Sequence, residues 1–187
     1  DEIFLYPFMI APLFLSDEKK IKAAGYAMEN NSLVLVCHSK AGMEGESNFD
    51  SIYDGGVIGT IIRKIVLPDG RVKILFQGLA RGHIVERLSD EPMLAVVDTI
   101  KTHPYNEQRV EAILANLRDN VKALSASANY FPPDLLKTIY ENHESNRIAD
   151  LISSSLKLKK DDAYALFVEA DVEQRLMKLI EHVIDET

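Results

Sequence analysis

At His103-Pro104 the hydrophobic rhythm of the chain changes, and that change limits the fold more than any other feature. Upstream, apolar residues fall in short extended runs or alternate with polar ones, which is the period of a strand. Downstream they recur every three or four residues, which is the period of a helix. Strands first and helices afterwards describe an α+β fold in two parts. The expected division is a small β-barrel or meander with one short helix over residues 1–102, and an all-helical bundle over 103–187.

The strand half is organised around a hairpin. Two runs rich in β-branched residues, Val57–Leu67 and Arg71–Phe76, flank Pro68-Asp69-Gly70. Proline presets φ in such a turn and glycine accepts a positive φ that other residues resist. In the second arm Val72, Ile74 and Phe76 alternate with Arg71, Lys73 and Leu75, and Gly78 and Gly82 bracket a further extended run through Ile84. Ahead of the hairpin, Ile3–Leu15 reads as a strand with a proline-broken loop. Ser16 reads as the N-cap of an amphipathic helix over Asp17–Glu29, and Leu33–His38 as a buried strand. Ser39–Asp54 is polar and reads as a long, mobile surface loop, with Met43 and Phe49 its only large apolar residues. Ser89–Pro92 reads as a turn and Met93–Ile100 as the closing strand.

In the helical half, Val110, Ile113, Leu114, Leu117, Val121 and Leu124 mark one face of a long helix over Asn106–Ser127. Tyr130-Phe131-Pro132-Pro133 breaks it, and Pro133 suits the first turn of a second helix, Asp134–Asn142, where its missing N–H costs nothing. Further helices are predicted over Arg147–Leu156 and Asp161–Glu169. The last opens at Asp171 with Gln174 three residues on, a capping-box spacing. Leu176, Leu179, Ile180, Val183 and Ile184 form its stripe, and with no stop signal it is expected to run on in a longer parent.

The segments Gly56-Val57-Ile58-Gly59-Thr60-Ile61, Leu67-Pro68-Asp69-Gly70 and Gly78-Leu79-Ala80-Arg81, in that order, resemble the N-terminal domain of the Lon family of ATP-dependent proteases. The resemblance continues through Phe131-Pro132-Pro133-Asp134-Leu135-Leu136, Ile148-Ala149-Asp150-Leu151-Ile152, Leu156-Lys157-Leu158, Asp171-Val172 and Arg175-Leu176, so that it covers nearly the whole chain. It implies a PUA-like β-part followed by a helical part, ahead of an ATPase module and a Ser-Lys peptidase module. It also implies a non-catalytic role: recruiting unfolded or damaged polypeptides and supporting assembly of a homohexamer with other copies of itself. ATP and Mg would then serve only the absent ATPase module, leaving this segment without a cofactor.

Composition narrows the alternatives. A formal net charge of −8 argues against nucleic acid as partner, because phosphate binding needs clustered Lys and Arg. The single cysteine, Cys37, cannot form an internal disulfide and suits a reducing cytoplasm; it reads as a small buried hydrophobe. No run is long enough to span a bilayer, so no membrane partner is expected. Gly55-Gly56-Val57-Ile58-Gly59-Thr60 lacks the lysine of a phosphate-binding loop, and its glycines read as a bulge or close strand contact. The five histidines are scattered without metal-ligand spacing, and no nucleophile elbow occurs. Arg81 reads first as a structural ion-pair former. The segment alone should neither hydrolyse ATP nor cleave peptides.

Client capture needs apolar groups outside the core. Candidates are Phe8, Met9, Ile10, Leu13 and Phe14 near the first loop, Met43 and Phe49 in the acidic loop, and Tyr130 and Phe131 at the helix break. Met43, Phe49 and Phe131 are the ones expected to escape the core, because breakers and polar residues surround them. Glu18, Lys19, Lys22 and Glu29 give the first helix a charged outward face. Two other readings use the same fold: a free-standing adaptor with no ATPase attached, and a PUA-like RNA binder, which the acidic balance opposes.

Overall fold

The computed structural model describes residues 5–40, 48–90 and 92–186. The chain divides into two compact units, Asp1–Ile100 and Lys101–Thr187. The first is a five-stranded antiparallel sheet carrying one helix, and the second consists of helices.

In the first unit β1 (Ile10–Leu15) leads into α1 (Glu18–Asn30), followed by β2 (Leu33–Ser39), β3 (Ile52–Val66), β4 (Val72–Asp90) and β5 (Met93–Thr99). The pairing order is β1-β4-β3-β2, with β5 added to the far half of β4. The hairpin is as the sequence predicts: Val66 faces Val72 across the turn, and Gly70 takes φ +89°. Strand β4 runs unbroken through Gly78 and Gly82, so these glycines do not bracket separate strands. Pro12 sits in β1, an edge strand, where its missing N–H leaves no ladder bond unmade. The helix cap is Asp17 and not Ser16: the Asp17 carboxylate accepts from the Lys19 N–H at 2.8 Å. The polar stretch ends earlier than its composition suggests. Asn48 caps a single 3-10 turn over Phe49–Ser51, and β3 already begins at Ile52. Cys37 lies in β2 beside the Gly56 backbone, where burial, and secondarily Asp54, push its thiol up to about 12, the value of an inert thiol.

One side of this sheet is closed by α1. Ala24 and Ala27 of the helix pack on Ile61, Val72 and Ile74, with Leu13, Leu15, Ile21 and Val34 at the margin.

The second unit contains α2 (Glu107–Ser127), α3 (Pro133–Glu141), α4 (Ser145–Ser155), α5 (Lys160–Val168) and α6 (Val172–Glu186). Val110, Leu114, Leu117, Val121 and Leu124 of α2 meet Leu176, Leu179 and Val183 of α6 in one core that also takes Ile139, Ile148 and Ile152. Pro133 occupies the first turn of α3, as expected. The capping box at α6 is only half made. Asp171 accepts from the Gln174 N–H at 3.2 Å, but the Asp171 N–H goes to the Glu169 carboxylate at 3.1 Å. Ile184 stays half exposed at the end of the stripe.

Arg175, almost fully buried, ties the α5–α6 turn to α4: its guanidinium donates to the Asn146 side-chain oxygen and to the Glu169 carbonyl. The Glu169 carboxylate in turn accepts from Lys178 at 2.9 Å, and this bond, chiefly, holds its pKa below the ordinary 4.5. A depressed carboxylate contributes stability that is present above the unfolded value and disappears as pH falls through the folded one. Acid titration of the helical unit should therefore show a loss of stability below pH 4.5 that Glu169→Gln flattens, read as midpoints of urea unfolding against pH.

Candidate functional site: the uncovered face of the sheet

Residues directly opposite one another in an antiparallel pair point to the same side of the sheet. On β1, Ile10, Pro12 and Phe14 point away from α1, opposite Gln77, Leu75 and Lys73 of β4. On β3 the same rows continue through Thr60, Arg63 and Ile65, and Thr60 faces Leu33 of β2. A bulge between Ile61 and Arg63 inserts Ile62, and a bulge re-aims the side chain it adds. The outcome is an apolar sheet face that no element of this unit covers among the described residues. Ile10 is 58% exposed and Phe14 56%, with Leu33 and Ile65 also open to solvent; the bulge residue Ile62, without a register partner, is 50% exposed. Phe14 stands between two cations, the Lys73 ammonium 5.8 Å and the Arg71 guanidinium 5.9 Å from its ring centre. Arg71 is also paired with Asp69 at 2.7 Å, and the Arg71 backbone and side chain hold that carboxyl below its usual range.

The residues that the sequence suggests are placed as follows. Phe8 is 61% exposed, with φ +68° and its N–H bonded to the Gly78 carbonyl at 3.1 Å. Met9 is half-buried, its sulfur accepting from the Tyr6 N–H at 3.4 Å, and Leu13 faces α1. Glu18, Lys19, Lys22 and Glu29 are exposed on α1. Met43 lies outside the described residues.

Two expectations are corrected. Phe49 is only 5% exposed, held under the Arg87 guanidinium at 5.2 Å, and Phe131 is 6% exposed in the helical core. The polar neighbours of Phe49 are capping groups: Asn48 accepts from the Ser51 N–H at 3.0 Å, and the turn so fixed drives the ring inward. Phe131 sits in a short connection between two helices, and a chain reversing over the end of a bundle places its aromatic in the core. Its neighbour Tyr130 is half-buried and donates to Glu186 at 2.5 Å.

Ile10 and Phe14 are legible from the sequence as candidates, whereas Arg63, Ile65 and Lys73 are not. A signal was present: Ile10–Leu15 is apolar at odd and even positions alike, so one face of the strand had to remain apolar after α1 covered the other. Among the described residues no cluster of His, Cys, Asp or Glu suits a metal ion, and no helix is long and apolar enough to cross a membrane.

The family described as the ATP-dependent protease La (LON) substrate-binding domain matches residues 1–185. The chain belongs to this family. Lon protease of Campylobacter concisus is 50% identical over 186 residues, which are all of this chain but 23% of that protein. Lon protease of Helicobacter pylori is 43% identical over 190 residues, again all of this chain and 22% of the relative. The Lon substrate-binding fold also appears in the N-terminal domain of Mycobacterium avium complex Lon protease. That structure superimposes with a TM-score of 0.75 at 18% identity, covering 98% of this chain and 94% of the other. A Lon N-terminal domain protein from Xanthomonas campestris gives 0.61 at 15% identity, over 95% and 92% of the two chains. This Lon domain thus spans under a quarter of the length of the relatives it matches.

Proposed function

We propose that this domain recruits unfolded or damaged polypeptides to a longer Lon protease, and that its uncovered sheet face is where they bind. The observation that carries the reading is the exposure of Ile10, Phe14 and Ile65 on one side of a sheet whose other side is already packed. A rigid scaffold bearing open apolar side chains suits clients that share no sequence, only exposed hydrophobic groups. Individually weak contacts suffice if several copies act together, since linked sites raise effective concentration. The rest of the proposal extends the family resemblance read from the sequence: a cytoplasmic, hexameric parent whose ATP- and Mg-dependent motor and serine peptidase lie outside this segment.

Binding of a fluorescent, reduced and alkylated polypeptide to the 187-residue chain tests the reading. Replacing Phe14 and Ile65 together by serine removes about 2 kcal/mol of burial from the complex, so Kd should rise about 30-fold. Both side chains are exposed in the free protein, and thermal stability should stay near the parent's. An unchanged Kd would move the site elsewhere.

A further inference from the structure

This inference rests on the client-binding reading of the same face and adds what kind of segment the face selects. Its register positions carry two cations, Arg63 opposite Leu75 and Lys73 opposite Phe14 and Ile65, and no carboxylate. In a chain of net charge −8 that is the reverse of the average surface. Among the described residues Arg63 and Lys73 form no ion pair; Lys73 only stands over the Phe14 ring at 5.8 Å. Arg71 already has Asp69.

We propose that the face selects extended client segments in which carboxylates sit beside apolar side chains. Arg63 and Lys73 receive the carboxylates while Phe14 and Ile65 take the apolar groups. The spacing fits a strand-like client. Arg63 and Ile65 stand two residues apart on β3, so their like-facing partners on an extended chain are at i and i+2, about 7 Å apart. An apolar face without charge would take any hydrophobic segment; unpartnered cations of one sign reject basic segments and favour acidic ones.

The test uses three fluorescein-labelled extended peptides in which a Phe or Ile at each i is followed at i+2 by Glu, Gln or Lys, so that both side chains face the sheet and the peptides differ only in that second residue. Anisotropy is read on the 187-residue chain at low and moderate salt. Each exposed pair is worth up to about fivefold, so the Glu peptide should bind about 5- to 20-fold tighter than the Gln peptide at about 0.02 M salt. The Lys peptide should bind weakest. At about 0.3 M salt, where the Debye length is shorter, the gap should close to about twofold. Arg63→Glu with Lys73→Gln should abolish the Glu preference, whereas Lys20→Glu on α1 should leave it. Far-UV circular dichroism confirms that each variant is folded. Equal binding of the Glu and Gln peptides, both weakened by Phe14→Ser, overturns charge selection and leaves the client-binding reading standing. Binding by none of the three overturns both. Self-association in sedimentation that Arg63→Glu abolishes also overturns the proposal, because the face then belongs to a second copy.

Discussion

Gly59→Ala is expected to cost the strand unit about 3 kcal/mol or more, at the upper end of what overpacking does. A methyl group there would lie 2.2 Å from the Gln77 carbonyl oxygen and 2.5 Å from the Phe76 ring. Neither neighbour can give way. The carbonyl belongs to the backbone of β4, and Phe76, at 1% exposure, is wedged in the core. Relief would require β3 and β4 to part, and those strands carry every row of the open face. Gly25→Ala is the matched contrast: no atom lies within 4 Å of its added methyl, and it sits inside α1, where alanine in place of glycine gains about 0.5–1 kcal/mol. Urea unfolding followed by hydrogen exchange of β3 and β4 amides should place the two variants on opposite sides of the parent. A Gly59→Ala protein that unfolds at the parent's midpoint would mean that the two strands do not approach as described.

Arg175→Met should be the second severe change, confined to the helical unit. Methionine keeps most of the volume but none of the donors. The Asn146 side-chain oxygen and the Glu169 carbonyl would lose their partner, and a buried acceptor left unmatched costs about 1–3 kcal/mol. A total near 3 kcal/mol is therefore expected, together with a rise in the Glu169 pKa, because the Arg175 charge is one of the influences holding it down. Unfolding midpoints and a carboxyl titration by NMR check both. Lost stability with an unmoved Glu169 would show that Arg175 acts through its hydrogen bonds and not through its charge on Glu169.

Legibility varied with the kind of signal. Period and turn chemistry placed the elements well: the α2 stripe of Val110, Leu114, Leu117, Val121 and Leu124 is buried, and Pro68-Asp69-Gly70 is the hairpin turn. Caps were harder, because Ser16 and Asp17 are both competent and only the backbone angle at Asp17 decides between them. Site residues were hardest. A polar neighbourhood says that a segment is near solvent, but not whether an aromatic within it turns inward, and Phe49 and Phe131 both do. The open face joins β1 and β2 to the two arms of the β3–β4 hairpin, and its bulge at Ile62 depends on register, which no local pattern encodes. The buried Arg175 has no signal in the sequence beyond the family resemblance; a lone arginine on an apolar helix face carries no mark of its partners.

The client face can be tested most directly by photo-crosslinking. A photoreactive phenylalanine analogue replaces Ile65 on the open face in one sample and Lys20 on α1 in another, and each is illuminated with a radiolabelled, reduced and alkylated polypeptide. Strong labelling from position 65, lost on competition with unlabelled polypeptide, and background labelling from position 20 is the result this account predicts. Equal labelling from both, or labelling from position 20 alone, would contradict it.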